Sequence, residues 1–535
     1  MRVETPDAPL PDLPGVRMLA QTGYSRTALL SLDGLDALSE HANVRLISPS
    51  IQMRPLNDIA AQKTALPAFK TSSGTTGRGV VVGIVDSGID SAHPAFASRI
   101  HSIWDQTITG PGWGTTNYGT VLTGSTLIVS RDTNGHGTHV AGTAAGDDTL
   151  FGGVAPEATI VAVKTNFLNA GIGDGIRYVF NVAEELGSPA VVNLSLGGHF
   201  DAHDGSDDLS VLIGDRSGAG RVVVAAAGNE GGDDIHGAAV IAPGQTTVLE
   251  LAVPPNSQPG AAAFVVLNGW YGAAGTCEVS IVTSSGDTTP FQPVITTGSP
   301  SRTHAFSNAT VRVTTPPATA SANGEHNVLV ELTPGPFGSA VQGGTWKLRV
   351  RNTGGTPVRF DVWSLVPAVS LDARFLPPAK SDDMKIGSPG SAGAVITVAA
   401  YTSRNKWTDA SGAARAVGLT IDTIADFSSP GPLRTGARKP DVTAPGAMIV
   451  SCLSSATTPP VKPSNIISPL FRVNAGTSMA CPYITGLVAL LLQRDPTLDP
   501  AAVKALLKSN SAVPGAAAGA FDPKWGFGLI DASGL

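Results

Sequence analysis

Three polar side chains, far apart along the chain, are of the types that nucleophilic catalysis requires. Ser478 stands among small residues shortly before the apolar segment Leu487–Leu492, and a hydroxyl presented where a buried helix begins is suited to act as a nucleophile. His136 and Asp86 lie in two earlier Gly-containing turns. A neutral imidazole can accept the hydroxyl proton, and a carboxylate can fix the imidazole tautomer and stabilise the imidazolium. A serine in a Gly-rich turn is more often structural, so the interpretation depends on all three residues together.

The elements around these residues predict an α/β fold. Val80–Val85 is a β-branched run, typical of a strand covered on both faces in a parallel sheet, and it leads directly to Asp86. His136 opens a helix of small residues. Pro482 is expected in the opening turn of the helix after Ser478, where its missing N–H costs little. Because ligands bind at the carboxyl ends of the strands in such sheets, we expect the three side chains to meet there.

The segment Thr133–Thr143 contains two histidines, and a metal site is the alternative interpretation. No acidic or cysteine partner lies at the spacing expected of metal ligands. His136 stands at the turn, whereas His139 lies three residues inside the predicted helix. We therefore interpret His136 as the acid–base residue and His139 as a structural residue, and we predict no metal site.

Four regions are predicted along the chain. Residues 1–53 show a small β-α-β pattern, which indicates a short α+β segment, and strands alternate with helices over 54–243. The helical signal disappears over 244–368. Some seven runs there, such as Trp346–Arg351, alternate apolar and polar residues and predict an inserted antiparallel β-sandwich. The α/β pattern resumes over 369–535.

Capping residues predict where two helices begin. Asp33 is expected to cap a short helix that ends near His41. Asp499 followed by Pro500 is expected to begin a helix over Ala501–Ser509.

Composition excludes several classes of protein. The chain has 535 residues, of which 42% are hydrophobic and 14% charged, so it is too long for one core and too apolar to be disordered. A net charge of −7 without a basic run argues against nucleic-acid partners. The longest apolar run is too short to span a membrane, so we expect no membrane insertion. No secretory signal is visible at the N-terminus, which favours a cytoplasmic over a secreted protein.

The three cysteines are Cys277, Cys452 and Cys481. Their number and wide spacing exclude a disulfide framework and permit at most one bridge. A reducing compartment, or indifference to redox conditions, fits this cysteine content best.

Four blocks of sequence resemble the signatures of subtilisin-like serine proteases (subtilases, peptidase family S8). The order of the three candidate residues, Asp then His then Ser, is also that of this family. The resemblance covers roughly residues 78–243 and 370–535, and it implies the subtilisin-like three-layer fold with a mostly parallel sheet. The blocks are Val82–Asp90, His136–Gly142, Val224–Glu230 and Gly476–Ala480.

The resemblance implies a role for each matching residue. Asp86 orients the base, His136 is the general base and then the general acid, and Ser478 is the nucleophile. The side chain of Asn229 donates to the oxyanion beside the backbone N–H of Ser478. The residues implied for substrate binding are Ser195, Leu196 and Gly197, which pair with the main chain of a peptide, and Gly228, which forms the floor of the first specificity pocket.

Some positions depart from the family pattern. Cys481 stands where many subtilisins have serine, and we expect it to pack rather than to react. Ala95 stands where several relatives have an aspartate that binds calcium. A structural calcium ion is therefore unsupported, and the chemistry requires no cofactor. The acidic loop His199–Asp208 could bind a cation or favour basic substrates, although a solvated loop is the commoner explanation.

Residues 1–53 resemble the latter part of a subtilisin propeptide, which implies that this segment could inhibit the enzyme or assist its folding. Taken together, the sequence predicts a serine endopeptidase that cleaves extended polypeptides through an acyl-enzyme, with a protein or peptide as substrate. The alternative is an inactive member of the family that binds peptides.

Overall fold

The computed structural model describes residues 2–3, 13–22, 25–46, 58–114, 117–255, 264–335, 340–365 and 371–535. The chain divides into two compact units, Met1–Arg54 and Pro55–Leu535. The three cysteines are free and buried. No helix of the described ranges has both the length and the apolar character needed to cross a bilayer.

The first unit is a four-stranded antiparallel sheet with one helix, in the strand order β2-β3-β1-β4. Its elements are β1 (Arg2–Val3), β2 (Val16–Thr22), β3 (Ser25–Leu30), α1 (Leu32–Ser39) and β4 (Val44–Leu46). The predicted Asp33 cap is wrong, because the side chain of Ser31 accepts the N–H of Gly34 at 3.1 Å and Asp33 already lies inside the helix. A serine hydroxyl caps a helix about as well as a carboxylate, so pattern alone could not choose between them.

The second unit begins with helices and the first strands of a large sheet. These elements are α2 (Asp58–Lys63), α3 (Leu66–Ser73), β5 (Val81–Asp86), β6 (Ile100–Asp105), β7 (Thr120–Leu122), α4 (His136–Ala145), β8 (Thr159–Lys164), α5 (Asn169–Glu185), β9 (Ala190–Leu194), α6 (Asp208–Arg216) and β10 (Arg221–Ala226).

Strands without an intervening α-helix follow. They are β11 (His236–Ile241), β12 (Thr246–Val253), β13 (Val265–Tyr271), β14 (Cys277–Val282), β15 (Ser301–Phe306), β16 (Ala309–Thr314), β17 (His326–Thr333), β18 (Gly344–Asn352), β19 (Val358–Leu365), β20 (Arg374–Phe375) and β21 (Lys380–Ser381). They form a seven-stranded sheet, β15-β16-β17-β13-β19-β11-β21, and a four-stranded sheet, β14-β18-β12-β20, both antiparallel. Buried side chains from both sheets form one apolar cluster.

These two sheets extend beyond the region 244–368 that the sequence indicated. They begin with β11 at His236 and end with β21 at Ser381. The sequence of β11 shows no clear alternation of apolar and polar residues, so it gave no strand signal. In the structure β11 lies between β19 and β21, and its central residues are only half-buried. Its pairing with β19, from His236 opposite Trp363 to Ile241 opposite Val358, identifies it as part of this region.

The remaining elements complete the first sheet and add the longest helix. They are β22 (Ile396–Tyr401), β23 (Lys406–Thr408), β24 (Ala414–Ala416), β25 (Val442–Pro445), β26 (Ile449–Cys452), β27 (Ile466–Ser468), β28 (Phe471–Asn474), α7 (Thr477–Arg494), α8 (Pro500–Ser509), β29 (Ser511–Ala512) and β30 (Leu529–Ile530). The start of α8 is as predicted: Asp499 caps it by accepting the N–H of Ala502 at 2.8 Å.

The large sheet has ten strands in the order β29-β30-β25-β22-β10-β9-β5-β8-β6-β7. All neighbouring pairs are parallel except the two at the edges, β29–β30 and β6–β7. This confirms the predicted α/β class with a mostly parallel sheet. It also explains the continuous apolar run of β5, every residue of which is buried.

Helices cover both faces of this sheet. Val82 and Ile84 of β5 pack in one apolar cluster with residues of α4 and α7. The alternate residues Val81 and Val85 pack on the opposite face with residues of α5 and α6. The arrangement is therefore three-layered, and α4 and α7, whose first turns contain His136 and Ser478, share one layer.

Candidate active site

Asp86 and His136 meet where β5 ends and α4 begins. The Nδ1 atom of His136 lies 2.8 Å from Oδ1 of Asp86, and the carboxylate is buried while the imidazole is 27% exposed. A Cβ atom at Gly137 would lie 2.1 Å from the carbonyl oxygen of Gly88, so only glycine lets the start of α4 approach the turn after β5 this closely. Gly137 therefore permits the close approach that brings the imidazole and the carboxylate together.

The proton affinity of His136 reflects two opposing effects. Burial lowers the pKa of the imidazole, but the charge and hydrogen bond of Asp86 raise it by more, so that the pKa lies above its usual value. Since Nδ1 faces a carboxylate, it carries a proton, and Nε2 is left as the acceptor of the neutral ring.

Asp132 supports this region, and the sequence analysis did not identify it. Its Oδ1 accepts the hydroxyl of Ser87 at 2.9 Å and the N–H of Gly135 at 2.8 Å. Its Oδ2 accepts the N–H and the hydroxyl of Thr138. The carboxylate thus binds N–H groups around the start of α4, which are left unpaired within the helix. An aspartate shortly before a predicted helix start was the available signal.

Ser478 lies in the first turn of α7 and exchanges two hydrogen bonds with Ser195. The hydroxyl of Ser478 donates to the carbonyl oxygen of Ser195 at 3.3 Å, and the hydroxyl of Ser195 donates to the carbonyl oxygen of Ser478 at 2.8 Å. Within the described residues, Ser478 is not hydrogen-bonded to His136. A serine hydroxyl turns about a single bond, and catalytic hydrogen bonds are often long or absent in the free protein.

Pro482 explains why the carbonyl of Ser478 is available. The sequence analysis placed this proline in the opening turn, but α7 begins at Thr477 and Pro482 lies inside the helix, so this expectation is wrong. The missing N–H of Pro482 is the one that would have bonded the carbonyl of Ser478 four residues earlier. The hydroxyl of Ser195 replaces that donor.

Asn229 follows β10 and is held by the residue next to Ser478. Its Oδ1 accepts the N–H of Thr477 at 2.9 Å and the hydroxyl of Thr477 at 3.0 Å. The same hydroxyl lies 3.1 Å from the carbonyl oxygen of Gly228. The two bonds from Thr477 occupy the amide oxygen, so the NH₂ group is the donor that the side chain of Asn229 has left to offer. Thr477 therefore orients Asn229, a role that the sequence analysis did not assign.

The predicted substrate-binding residues lie just after the ends of two neighbouring strands of the sheet. Ser195 follows β9 and is buried, Leu196 is half-buried, and Gly197 is exposed, which leaves main chain accessible. Gly228 follows β10 with φ 111°, a conformation that favours glycine. A Cβ there would lie 2.6 Å from both Oε2 of Glu230 and Oγ of Ser429.

Within the acidic loop His199–Asp208 only Phe200 and Asp208 are exposed, and the other residues are buried or half-buried, so the expected solvated loop is wrong. Asp201 is 6% exposed and His203 fully buried, and Asp207 caps α6 by accepting the N–H groups of Leu209 and Ser210. The polar side chains of the loop pair with one another and with neighbouring strands. These contacts join distant segments, so the number of charged residues in the loop does not predict them. In the described part of the chain no three His, Cys, Asp or Glu side chains are grouped to hold a metal ion.

Two further expectations concern buried side chains. His139 is fully buried, with Nε2 lying 3.1 Å from the carbonyl oxygen of Ile449, and burial lowers the pKa of its ring well below the usual value. Cys481 is buried 3.8 Å from the carbonyl oxygen of Leu194, and burial raises the pKa of its thiol to about 12. A protonated thiol and a neutral imidazole in these places fit packing and structural roles.

Comparison with known proteins gives the family. The sequence profile of the subtilase family matches residues 77–324 and 362–528, well over half of the chain. Serine protease AprX of Bacillus subtilis (strain 168) is 36% identical over 152 residues, which are 28% of this chain and 31% of that protein. Subtilisin E of the same organism is 36% identical over 164 residues, 30% of this chain and 37% of the relative. The chain thus spans about a third of the length of these relatives.

Among solved structures, the CspB protease of Clostridium perfringens superposes with a TM-score of 0.72 at 23% sequence identity, covering 88% of this chain and 95% of that chain. This likeness confirms the fold. Together with the family profile, it leads to one conclusion: the chain belongs to the subtilase family of subtilisin-like serine proteases.

Proposed function

We propose that the protein is a serine endopeptidase that hydrolyses peptide bonds of extended polypeptides through an acyl-enzyme intermediate. The observation that carries the proposal is the 2.8 Å contact between Nδ1 of His136 and Oδ1 of Asp86, on the face of the sheet covered by α7, whose first turn contains Ser478. A raised pKa at His136 suits a residue that must accept a proton and then return it.

In the proposed mechanism, Nε2 of His136 accepts the hydroxyl proton of Ser478 as the oxygen attacks the scissile carbonyl. The hydroxyl first turns away from the carbonyl oxygen of Ser195, a rotation about one bond. The imidazolium, stabilised by Asp86, then donates its proton to the leaving amine. Water repeats the attack on the acyl-enzyme and regenerates the serine.

The negative charge of the tetrahedral intermediate needs donors fixed in advance. The free NH₂ group of Asn229 and the backbone N–H of Ser478 are the proposed donors, and the N-terminus of α7 adds a favourable dipole. One such donor contributes about 3–4 kcal/mol to stabilising the transition state.

The proposed substrate is an extended, locally unfolded polypeptide. The exposed main chain around Gly197 can pair with a peptide strand, and Gly228 is the proposed floor of the pocket for one substrate side chain. Main-chain pairing selects an extended backbone first and side chains second. No cofactor takes part in this chemistry.

The domain division supports a proposal for the other parts of the chain. The sequence places the catalytic parts at 54–243 and 369–535, around an inserted sandwich at 244–368. With the strand bounds of the structure, we assign the sandwich to 236–381 and catalysis to the parts of the second unit on either side of it. Residues 1–53, which fall within a compact unit of their own, act as an inhibitor or a folding aid in this proposal. Deleting residues 1–53 should raise peptidase activity or lower refolding yield, and unchanged values of both would reject this role.

The enzyme is tested by labelling with a fluorophosphonate probe. The full chain is expected to react, and Ser478→Ala and His136→Ala are expected to lose the label. Ser511→Ala is a matched control, because Ser511 is as little exposed as Ser478 at 8%. Absence of labelling in a folded protein that still binds extended peptides would favour the inactive, peptide-binding alternative.

A further inference from the structure

Three polar side chains lie close to the backbone of Asn229: Glu230, which is 28% exposed, and the buried Ser429 and His199. Oε2 of Glu230 accepts the backbone N–H of Asn229 at 2.7 Å and the hydroxyl of Ser429 at 2.9 Å. Nε2 of His199 lies 3.6 Å from the same carboxylate oxygen. His199 belongs to the buried loop that follows the proposed substrate segment, so two active-site loops meet at Glu230.

His199 is paired with a second histidine. Its Nδ1 lies 2.8 Å from Nε2 of His203, and the two rings stack with centroids 5.1 Å apart. Between two imidazole nitrogens at this distance, one donates and the other accepts. If Nδ1 of a neutral His199 were the donor, its Nε2 would carry no proton and would turn a lone pair toward the carboxylate of Glu230. The arrangement therefore favours a proton on Nε2 of His199, facing Glu230.

The second ring is consistent with this assignment. With Nε2 of His203 as donor, its Nδ1 carries no proton, and this atom has no hydrogen-bond partner among the described residues. It lies 3.8 Å from Oδ1 of Asp201. Burial raises the pKa of Asp201 to about 7, and burial lowers the pKa of His203 well below its usual value. A neutral His203 beside a carboxyl that retains its proton avoids an isolated buried charge.

The inserted strands hold this pair in place. Trp363 of β19 stacks on His203 with a centroid separation of 3.8 Å and on His236 at 4.6 Å. Nδ2 of Asn268, in β13, donates to the carbonyl oxygens of His199 and Asp201 at 2.9 and 3.0 Å. The position of His199 is therefore set by the sandwich rather than by the catalytic sheet alone.

We propose that His199 is a positioning residue for the oxyanion donor Asn229, acting through the carboxylate of Glu230, and that the sandwich fixes His199 for this purpose. This rests on the proposed peptidase function. The carboxylate binds the backbone N–H of Asn229, and Thr477 binds its side-chain oxygen, so Asn229 is held at two points. Without the contact from His199, the carboxylate of Glu230 can move, and its bond to the backbone N–H of Asn229 is weakened.

Steady-state kinetics on a peptide substrate tests the proposal in the full chain. His199→Leu keeps the bulk but removes the donor, and it is expected to lower kcat about 10-fold with KM nearly unchanged. His199→Gln retains an N–H that can face Glu230 and is expected to recover most of kcat. His326→Leu is the control, because His326 stacks on Tyr271 within the sandwich, away from Glu230.

A double-mutant cycle separates positioning from a general structural effect. If His199 acts through Asn229, His199→Leu should have no further effect on kcat in an Asn229→Ala background. Equal factors in both backgrounds, or a kcat of His199→Leu equal to that of the unmodified protein, would overturn the proposal. If His199→Leu does not fold, Glu230→Gln replaces it, with a fall in kcat of about fivefold expected and no fall overturning the proposal.

Failure of the proposed function would look different. In that case the unmodified chain itself would show no hydrolysis that depends on Ser478, and the positioning role would fail with it. An active chain whose kcat is insensitive to His199 would reject the positioning role alone.

Discussion

The regions around His136 and His203 both contain a histidine beside an aspartate, yet the pKa values of the two imidazoles are shifted in opposite directions. Burial disfavours the charged imidazole in each. At His136 a carboxylate at 2.8 Å outweighs burial and raises the pKa. At His203 the aspartate is 3.8 Å away, burial is not offset, and the pKa falls well below its usual value.

The difference shows that direct contact with an ionised carboxylate, rather than burial, decides whether an imidazole can be charged near neutral pH. The His136 region is suited to moving a proton. The His203 region is suited to holding neutral groups in fixed positions behind Asn229. The predictions below test this division, beginning with the largest expected effect.

Removing the proposed proton acceptor should have the largest effect. His136→Ala is expected to lower kcat by about 10⁶-fold, the magnitude known for subtilisin. Ser478→Ala should cost about as much, and the double variant little more, because the residues act as a unit. Single-turnover measurements with a peptide ester provide the check. A loss below about 100-fold for His136→Ala would contradict its role as the base.

The fall in kcat on removing Asn229 is the largest that any residue acting only through Asn229 can cause. Asn229→Ala is expected to lower kcat by about 10²–10³-fold with KM little changed. If the His203 region acts only through Asn229, a folded variant in that region should not lower kcat by a larger factor than Asn229→Ala does. A larger loss in a folded His203 variant would show that this region acts on the chemistry by another route.

Trp363 tests whether the His203 region is mainly structural. The side chain is fully buried between two imidazoles, and Trp363→Ala is expected to cost about 3–5 kcal/mol of unfolding free energy. Thermal unfolding in a Ser478→Ala background, which excludes self-digestion, measures this. Trp525→Ala, at a half-buried position, is the control and should cost clearly less.

The pH dependence of activity reports on His136. The neutral imidazole is the active base, and its pKa is raised, so kcat/KM should fall as pH drops through a value above 6.5. His199→Leu should leave this acid limb unchanged. An acid limb below pH 6.5 would contradict the raised pKa.

The smallest effect is expected at Asp201. Its pKa is about 7 in the folded protein and 3.8 as the ordinary value, so the folded state binds more protons between these two values. Its contribution to stability is complete below about pH 4 and is lost as pH rises through about 7. Asp201→Asn in the Ser478→Ala background should reduce the fall in Tm between pH 5 and pH 8. An unchanged fall would contradict this assignment.

Local sequence patterns predicted much of the fold. The continuous β-branched run before Asp86 indicated a strand buried on both faces, and this strand lies within the parallel part of the sheet. The same turns identified Asp86, His136 and Ser478 as candidates, because each follows a strand or begins a helix, whereas Asn229 was assigned from the resemblance to subtilisin-like proteases. Their catalytic roles stay predictions.

What the sequence could not predict depends on contacts between distant segments. His199–Asp208 reads as a solvated loop, since nothing in its composition shows that Asn268 and Trp363 will cover it. The role of Ser195 as a donor to the carbonyl of Ser478 depends on Pro482, nearly 300 positions away. Neither the periodicity of apolar residues nor a helix-capping residue within a single segment predicts contacts of this kind.

The exchange of hydrogen bonds between Ser195 and Ser478 has a consequence for how a peptide is aligned. When the Ser478 hydroxyl rotates to react, the bond from the Ser195 hydroxyl to the Ser478 carbonyl oxygen remains. In the proposed mechanism this bond joins the segment after β9, which would carry the peptide, to the helix that contains the nucleophile. A proline that removes one donor and a serine that supplies another thus couple the proposed peptide-binding segment to the proposed nucleophile.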